Sequence, residues 1–223
     1  MSIDDAARDK LSGLVELLGS ERAPTSVSDP GRAWKVHVED SLSGIEPGGL
    51  DAASLIADVG AGAGLPGLVL AVALPDARVE LIEATGRKCE FIAEAARSCG
   101  IDNAAVVCER SESWADGEGR ERYDAVTARA VGRLATLAEL ASPLLRDGGS
   151  LVCWKGRRDP EEEAEMARAA GALAIEPVDI AAVGPYAGSR NRHIHRLRKN
   201  GPTPEGLPRR PGMAKKKPFG SER

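Results

Sequence analysis

The stretch LIADVGAGAGLPG, residues 55–67, decides the fold of this chain. An apolar run ends at Asp58, glycines follow at positions 60, 62, 64 and 67, and a long apolar pattern begins near Leu68. This order predicts a buried strand, a tight turn and the start of a helix. Glycine allows a ligand to approach the backbone closely, and a helix N-terminus offers unpaired N–H groups. The stretch therefore predicts a site for a nucleotide or nucleoside.

Strand and helix patterns alternate on both sides of this stretch. Strands are predicted at 54–59, 78–82, 104–108, 123–128 and 150–154, with further candidates at 173–179 and 192–197. Helices are predicted at 66–74, 86–99, 133–145 and 160–170. Such alternation indicates an α/β domain with a mostly parallel sheet covered by helices on both faces.

Shorter segments flank this domain. Helical patterns at 4–19 and 31–43 precede it, and the break Pro47-Gly48-Gly49 predicts a boundary. We therefore expect an N-terminal helical segment at 1–49, the main domain at 50–199 and a basic tail at 200–223. The tail carries five prolines, which predict an extended chain.

The net charge of −4 hides a strong asymmetry. The last 38 residues hold eleven Lys/Arg and two acidic residues, a net of +9, whereas the other 185 carry a net of −13. A basic tail on an acidic body predicts local contact with a polyanion. The alternative is a tail that only keeps the protein soluble.

The sequence also indicates where in the cell the protein is located. No apolar run approaches the roughly 20 residues that span a bilayer, and the acidic N-terminus lacks the basic start of a signal peptide. The four cysteines form no C-x-x-C pair, which predicts free thiols in a reducing cytoplasm and no metal site. We expect a cytoplasmic monomer without membrane contact.

Two cofactor templates match the glycine turn. Residues 62–67 read G-x-G-x-x-G, and Glu83 ends the second strand, where a carboxylate accepts hydrogen bonds from a ribose, as in NAD sites. Residues 58–64 read D-x-G-x-G-x-G, which is typical of methyltransferases that use S-adenosylmethionine. The charge at Asp58, the short chain and the lack of a Tyr-x-x-x-Lys pair favour the methyltransferase. An NAD-dependent oxidoreductase remains the alternative.

Several short motifs follow the glycine turn and the ends of the predicted strands. Leu65-Pro66-Gly67 follows the glycines, Arg110-Ser111-Glu112 follows strand three, Ala128-Arg129-Ala130 follows strand four, and Trp154-Lys155-Gly156 ends strand five. Together with His37-Val38-Glu39-Asp40-Ser41-Leu42 and the tail sequence 207–212, they resemble the ribosomal RNA small subunit methyltransferase G family, also called glucose-inhibited division protein B.

This resemblance implies a class I, Rossmann-like methyltransferase with a seven-stranded sheet and short N-terminal helices. It implies methylation of N7 of one guanine in bacterial 16S rRNA, as free RNA or in the small subunit. It assigns Gly60, Leu65, Ser111, Glu112 and Arg129 to the cofactor. Our own reading of the loop and strand two adds Asp58, Gly62, Gly64 and Glu83.

The chemistry that the resemblance implies needs positioning more than proton transfer. Guanine N7 carries an in-ring lone pair, so we expect no general base and no catalytic residue in the strict sense. An arginine at N7 would block attack, which favours a cofactor or phosphate role for Arg129. A non-catalytic RNA-binding protein with the same fold is a further alternative. The candidate RNA contacts are His37, Lys155, Arg209, Arg210, Lys215, Lys216 and Lys217.

Overall fold

The computed structural model describes residues 3–27 and 29–221. Its α-helices are α1 (Asp5–Leu18), α2 (Pro30–Ala33), α3 (Asp40–Leu42), α4 (Ile45–Gly48), α5 (Gly67–Ala73), α6 (Gly86–Ser98), α7 (Ser111–Ala115), α8 (Leu134–Ala141), α9 (Pro160–Leu173) and α10 (Met213–Lys216). Its strands are β1 (Leu55–Val59), β2 (Arg78–Ile82), β3 (Ala104–Val107), β4 (Tyr123–Arg129), β5 (Leu145–Lys155), β6 (Ile175–Val183) and β7 (Arg192–Lys199). A π-helical turn (Trp34–Glu39) and a 3-10 turn (Leu50–Ala52) complete the regular structure.

The seven strands form one sheet in the order β3-β2-β1-β4-β5-β7-β6. Strands β1 to β5 run parallel, and β7 pairs antiparallel with both β5 and β6. The predicted α/β fold with a mostly parallel seven-stranded sheet is thereby confirmed. Because β1 pairs with β2 on one side and β4 on the other, the strand order reverses at its carboxyl end. Open α/β sheets bind their ligands at such a point.

The sheet is buried on both faces because helices cover each side. One core cluster joins Leu68 of α5 and Phe91 of α6 to Leu11 and Leu14 of α1. A second joins Leu137 of α8 to the α9 side of the sheet. The N-terminal helix therefore shares its core with the main domain.

The predicted helix at 31–43 is divided into α2, the π-helical turn and α3. A π turn inserts one extra residue, which rotates the next helical turn relative to a regular helix. Asp40 and Ser41, which come directly after the π turn, are both buried, and the indole Nε1 of Trp154 donates to the Asp40 carbonyl at 2.8 Å. This segment is thus fixed to the carboxyl end of β5.

The prediction of four free cysteines is wrong for two of them. Cys89 on α6 and Cys108 after β3 form a disulfide with a Cα–Cα distance of 5.8 Å, within the range that such bonds need. The spacing of cysteines along the chain does not reveal that α6 returns alongside the end of β3. Cys99 and Cys153 are free, and burial raises the pKa of the Cys153 thiol to about 12.

The tail departs from the sheet after β7 and contains little regular structure besides α10. It nevertheless packs on the domain, because Leu207 and Ala214 are buried. Lys199 holds its start: the ammonium group is fully enclosed and donates to the carbonyls of Ser142 and Leu145 at 2.7 and 2.8 Å. Among the described residues, no helix is long and apolar enough to cross a bilayer.

Candidate active site

Asp58 fixes the glycine loop from below. Its Oδ2 accepts the Gly67 N–H at 2.9 Å, and its Oδ1 accepts the Thr127 hydroxyl at 2.9 Å. The carboxylate ties the start of α5 to β4 and is completely buried. Its side chain faces the inside of the loop and holds the loop in shape, and a direct contact with the cofactor stays a prediction.

Burial also changes the acidity of this carboxyl group. Removal from water raises the pKa of Asp58 to about 6, and the hydrogen bonds from Gly67 and Thr127 together with the nearby Arg129 charge limit the rise. At neutral pH the group is mostly ionised. It then contributes a negative charge beneath the loop.

Two glycines are required by the shape of the loop. Gly60 has φ +67°, and a Cβ on it would lie 2.9 Å from Val131 Cγ2. Gly64 has φ +86°, and a Cβ there would lie 2.6 Å from Leu68 Cδ1. The loop is also anchored to β2, since the Gly60 N–H donates to the Ile82 carbonyl at 2.8 Å. Any side chain at these positions would be strained and would push the loop outward.

Glu83, at the end of β2, is held by backbone amides. Its Oε2 accepts the Gly62 N–H at 3.0 Å, and its Oε1 accepts the Thr85 N–H at 2.9 Å. A carboxylate has about four acceptor positions, so each oxygen keeps a free lone pair. The side chain is only 7% exposed. Glu83 is therefore preorganised to accept hydrogen bonds from a ligand beside the loop.

A cavity of about 530 Å³ opens beside the loop, and we call it the glycine-loop cavity. The ends of β1, β2 and β3 and the start of α8 surround it. Its lining residues are Val59, Gly60, Ile82, Glu83, Ala84, Glu109, Arg110, Ser111, Glu112, Val131, Thr136, Leu140, Gly212, Ala214, Lys215 and Lys216. The volume lies within the roughly 300–1,000 Å³ typical of small-molecule sites.

The structure brings four of the predicted cofactor residues to this cavity: Gly60, Glu83, Ser111 and Glu112. Ser111 and Glu112 begin α7, a short helix that the sequence patterns missed. Leu65 is instead packed in the core beneath the loop, and it and the glycines at 62 and 64 do not line the cavity. Gly62 acts through its N–H to Glu83.

Arg129 lines a different space from the glycine-loop cavity, and its place at the cofactor stays a prediction. Its Nη1 donates to Asp40 Oδ2 at 3.1 Å, to Ser41 Oγ at 3.2 Å and to the Val36 carbonyl at 3.4 Å. The guanidinium is 15% exposed. Within the described part of the chain, its Nε and Nη2 have no hydrogen-bond partner.

The space in front of Arg129 is a second cavity, of about 220 Å³, which we call the arginine cavity. It is lined by Asp40, Arg129, Ala130, Gly132, Leu137, Trp154, Lys155, Gly156, Val183, Arg192, His193 and Ile194. The loop after β4 separates it from the glycine-loop cavity, since Ala130 borders one and Val131 the other. The two cavities therefore flank the same four-residue turn, 130–133.

The arginine cavity is positively charged and rich in donors. Arg192 lies 3.4 Å from Asp40 Oδ1 through its buried Nε, which has no hydrogen-bond partner in the described chain. His193 Nδ1 lies 2.8 Å from the Gly156 carbonyl, which fixes the ring. Asp40, Arg129, Lys155 and Arg192 together carry a formal charge of +2. Such a site suits a ligand edge that carries acceptors.

The predicted RNA contacts separate into exposed and enclosed residues. His37 is 8% exposed, with Nε2 3.3 Å from Thr25 Oγ1, and burial lowers its pKa. These contacts indicate a structural role, and its RNA contact stays a prediction. Lys155 is paired with Glu162 at 2.6 Å at the edge of the arginine cavity. The exposed candidates are Arg210, Lys215, Lys216 and Lys217.

Arg209 is likewise engaged within the molecule. Its Nε donates to Glu139 Oε1 at 2.6 Å, and its Nη2 also donates to Glu139, a carboxylate that is only 3% exposed. The guanidinium lies over the Phe219 ring at 4.3 Å from the centroid. An RNA contact by Arg209 would have to compete with this bidentate pair.

Comparison with known proteins gives consistent matches. The family model GidB, rRNA small subunit methyltransferase G, matches residues 8–194. The ribosomal RNA small subunit methyltransferase G of Synechococcus elongatus is 38% identical over 88% of this chain and 82% of its own length. The protein of the same name from Rubrobacter xylanophilus is 39% identical over 96% of this chain and 85% of its own length.

A solved structure supports the fold. An S-adenosylmethionine-dependent methyltransferase from Aquifex aeolicus has a TM-score of 0.55 to this structure and 17% sequence identity. The match covers 84% of this chain and 98% of the other. At this identity the likeness establishes the class I Rossmann-like architecture and nothing about the acceptor.

Proposed function

The chain belongs to the rRNA small subunit methyltransferase G family, and on this premise we propose that it methylates N7 of a guanine in bacterial 16S rRNA with S-adenosylmethionine. One observation carries the proposal: a cofactor-sized cavity and a smaller basic cavity lie on either side of the turn after β4. No observation on the described residues favours the NAD-dependent oxidoreductase or the non-catalytic RNA-binding protein.

The glycine-loop cavity fits S-adenosylmethionine. Glu83 would accept the ribose hydroxyls, Ser111 and Glu112 would hold the adenosine, and Gly60 would leave room for the cofactor beside the loop. A Cβ at Gly60 would displace the turn after β4 through Val131. When bound there, the cofactor supplies an electrophilic methyl group on a sulfonium.

The arginine cavity receives the acceptor guanine. A guanidinium donates well to guanine O6, and Arg129, held by Asp40, lines the cavity with Nε and Nη2 unpartnered among the described residues. A hydrogen bond to O6 leaves the adjacent N7 lone pair available for attack. The protein then acts by placing the nucleophile in line with the methyl group and needs no general base.

We assign the contacts with the RNA backbone to the exposed basic residues of the tail, namely Arg210, Lys215, Lys216 and Lys217. Phosphate contacts release counterions, so binding of 16S rRNA should weaken steeply with salt. Binding that does not depend on salt would contradict this role of the tail. We place the enzyme in the cytoplasm, where its rRNA substrate is made, and expect it to act as a monomer.

The direct test is methyl transfer to 16S rRNA and to small ribosomal subunits, with mass analysis of the nucleosides. We expect 7-methylguanosine; a different methylated nucleoside, or none, would overturn the proposal. Arg129→Lys should lower turnover about 10-fold or more while leaving S-adenosylmethionine affinity within about twofold. Arg146→Lys is the matched control, since Arg146 pairs with Asp124 at the opposite end of the sheet.

A further inference from the structure

The C-terminal segment Leu207–Gly220, which we call the C-terminal strap, lies across α8. Its strongest attachment is the bidentate pair between Arg209 and the buried Glu139. Arg209 Nη2 also donates to the Lys217 carbonyl at 2.7 Å, and the ring of Phe219 covers the guanidinium. One arginine therefore holds both the beginning and the end of the strap.

The middle of the strap forms a wall of the glycine-loop cavity. Gly212, Ala214, Lys215 and Lys216 all line it. The Gly212 N–H donates to Glu112 Oε1 at 2.7 Å, and the Thr136 hydroxyl donates to the Ala214 carbonyl at 3.2 Å. Glu112 is itself a lining residue, so the strap touches the group that faces the proposed adenine. Without the strap, the cavity would be open on the α8 side.

We propose that the C-terminal strap completes the cofactor site and that a polyanion bound to its basic residues tightens cofactor binding. This inference rests on the proposed use of S-adenosylmethionine. In it Arg209 and Glu139 are positioning residues, since neither lines the cavity. Each acts by holding the Gly212–Lys216 wall in place.

The charges of the strap determine whether a bound polyanion strengthens or weakens cofactor binding. Arg210, Lys215, Lys216 and Lys217 lie within eight residues of chain, and all four are exposed. Like charges so close repel one another and disfavour the closed strap. A polyanion neutralises them, so it favours the conformation in which the wall is in place. Linkage then requires the cofactor to strengthen polyanion binding by the same factor.

The role of the Gly212–Lys216 wall is tested by replacing the charged side chains of Glu139 and Arg209 with neutral amides. In Glu139→Gln/Arg209→Gln no buried charge is left unpaired, and thermal unfolding verifies that the fold is intact. We expect S-adenosylmethionine to bind at least about fivefold more weakly by calorimetry. The control is Asp179→Asn/Arg196→Gln, a more exposed pair in which Arg196 Nε and Nη2 both donate to Asp179 Oδ2, at 3.1 and 2.6 Å. Neither residue lines the cavity. The affinity of this control variant for S-adenosylmethionine should stay within about twofold of that of the unmodified protein.

Trypsin gives a readout that does not depend on affinity or activity. It cleaves after lysine, and Lys215 and Lys216 lie on the strap. S-adenosylhomocysteine should slow cleavage there severalfold in the unmodified protein and much less in Glu139→Gln/Arg209→Gln. Equal cleavage rates with and without the ligand would overturn the inference.

The coupling is tested with a 20-nucleotide single-stranded RNA of unrelated sequence at low salt. The RNA should tighten S-adenosylmethionine binding at least about threefold, and the cofactor should tighten RNA binding equally. Arg210→Gln/Lys217→Gln should reduce this coupling. Coupling of opposite sign, or none, refutes the polyanion effect. If the unmodified protein binds no S-adenosylmethionine, both the proposed function and this inference fail; cofactor binding that is insensitive to Glu139→Gln/Arg209→Gln refutes the inference alone.

Discussion

The carboxylate of Glu83 offers the sharpest test of the cofactor site. Both of its oxygens already accept a backbone N–H, from Gly62 in the glycine loop and from Thr85 at the start of α6. In Glu83→Gln one oxygen becomes an NH₂ group, which cannot accept. Whichever way the amide turns, one backbone N–H then faces a donor, and one acceptor for the ribose is lost.

The size of the effect follows from these contacts. A hydrogen bond to a charged group contributes about 1.5–3 kcal/mol, and this variant loses one such bond within the loop. Part of that cost falls on the stability of the free protein. The remainder, with the lost ribose acceptor, should weaken S-adenosylhomocysteine binding by about 10- to 100-fold, or about 1.4–2.7 kcal/mol.

Titration calorimetry with S-adenosylhomocysteine and with its 2′-deoxy analogue measures this loss. The unmodified protein should bind the deoxy analogue more weakly, whereas Glu83→Gln should discriminate much less between the two ligands. Glu90→Gln, an exposed change on α6, is the control and should behave as the unmodified protein. A folded Glu83→Gln protein with affinity within twofold, or with full discrimination between the ligands, would refute the role of Glu83.

Two further predictions concern stability, and a third concerns the cysteines. Burial raises the folded-state pKa of Asp58 to about 6. Its ionisation therefore lowers the free energy of unfolding, by up to about 3 kcal/mol, as pH rises from about 4 to 6. Asp58→Asn should remove this part of the pH dependence in denaturant titrations. Unchanged curves would show that Asp58 ionises normally. Tyr123→Phe should lower the free energy of unfolding by about 2 kcal/mol, because the buried hydroxyl accepts a hydrogen bond from Trp114 Nε1 at 2.7 Å. Chemical unfolding measures this loss, and a loss below about 0.5 kcal/mol would contradict the prediction. Thiol titration in denaturant without reductant should find two reactive cysteines rather than four, because Cys89 and Cys108 are joined.

The glycine loop and its strand could be predicted because their signals are local. The spacing of Asp58, Gly60 and Gly64 dictates a strand, a turn with positive φ and a helix start, and the structure has all three. Glu83 was predicted from its place at the end of the second strand, because consecutive strands of a parallel sheet are commonly neighbours. Its two backbone partners were not foreseeable, because they depend on how the loop folds back.

Arg129 shows where local reasoning ends. Its place at the end of β4 put it at the carboxyl edge of the sheet, but the side chain turns toward Asp40, which directly follows the π-helical turn and lies 89 residues earlier in the chain. The π turn has no signal in the hydrophobic pattern, so the sequence did not reveal which cavity Arg129 faces. Asp58 is a second such case, because an acid beside glycines looks the same in the sequence whether it faces a ligand or the core.

The sequence by itself determined the order of elements, the sheet class, the position of the glycine turn and the charge of the tail, since each depends on residues close together in the chain. The tertiary structure decided which charged groups meet. Arg209 on the tail and Glu139 on α8 are 70 residues apart, and their pairing converts a basic tail into a wall of the glycine-loop cavity. A buried carboxylate needs hydrogen-bond donors or a cationic partner, but only the folded chain determines which groups reach it.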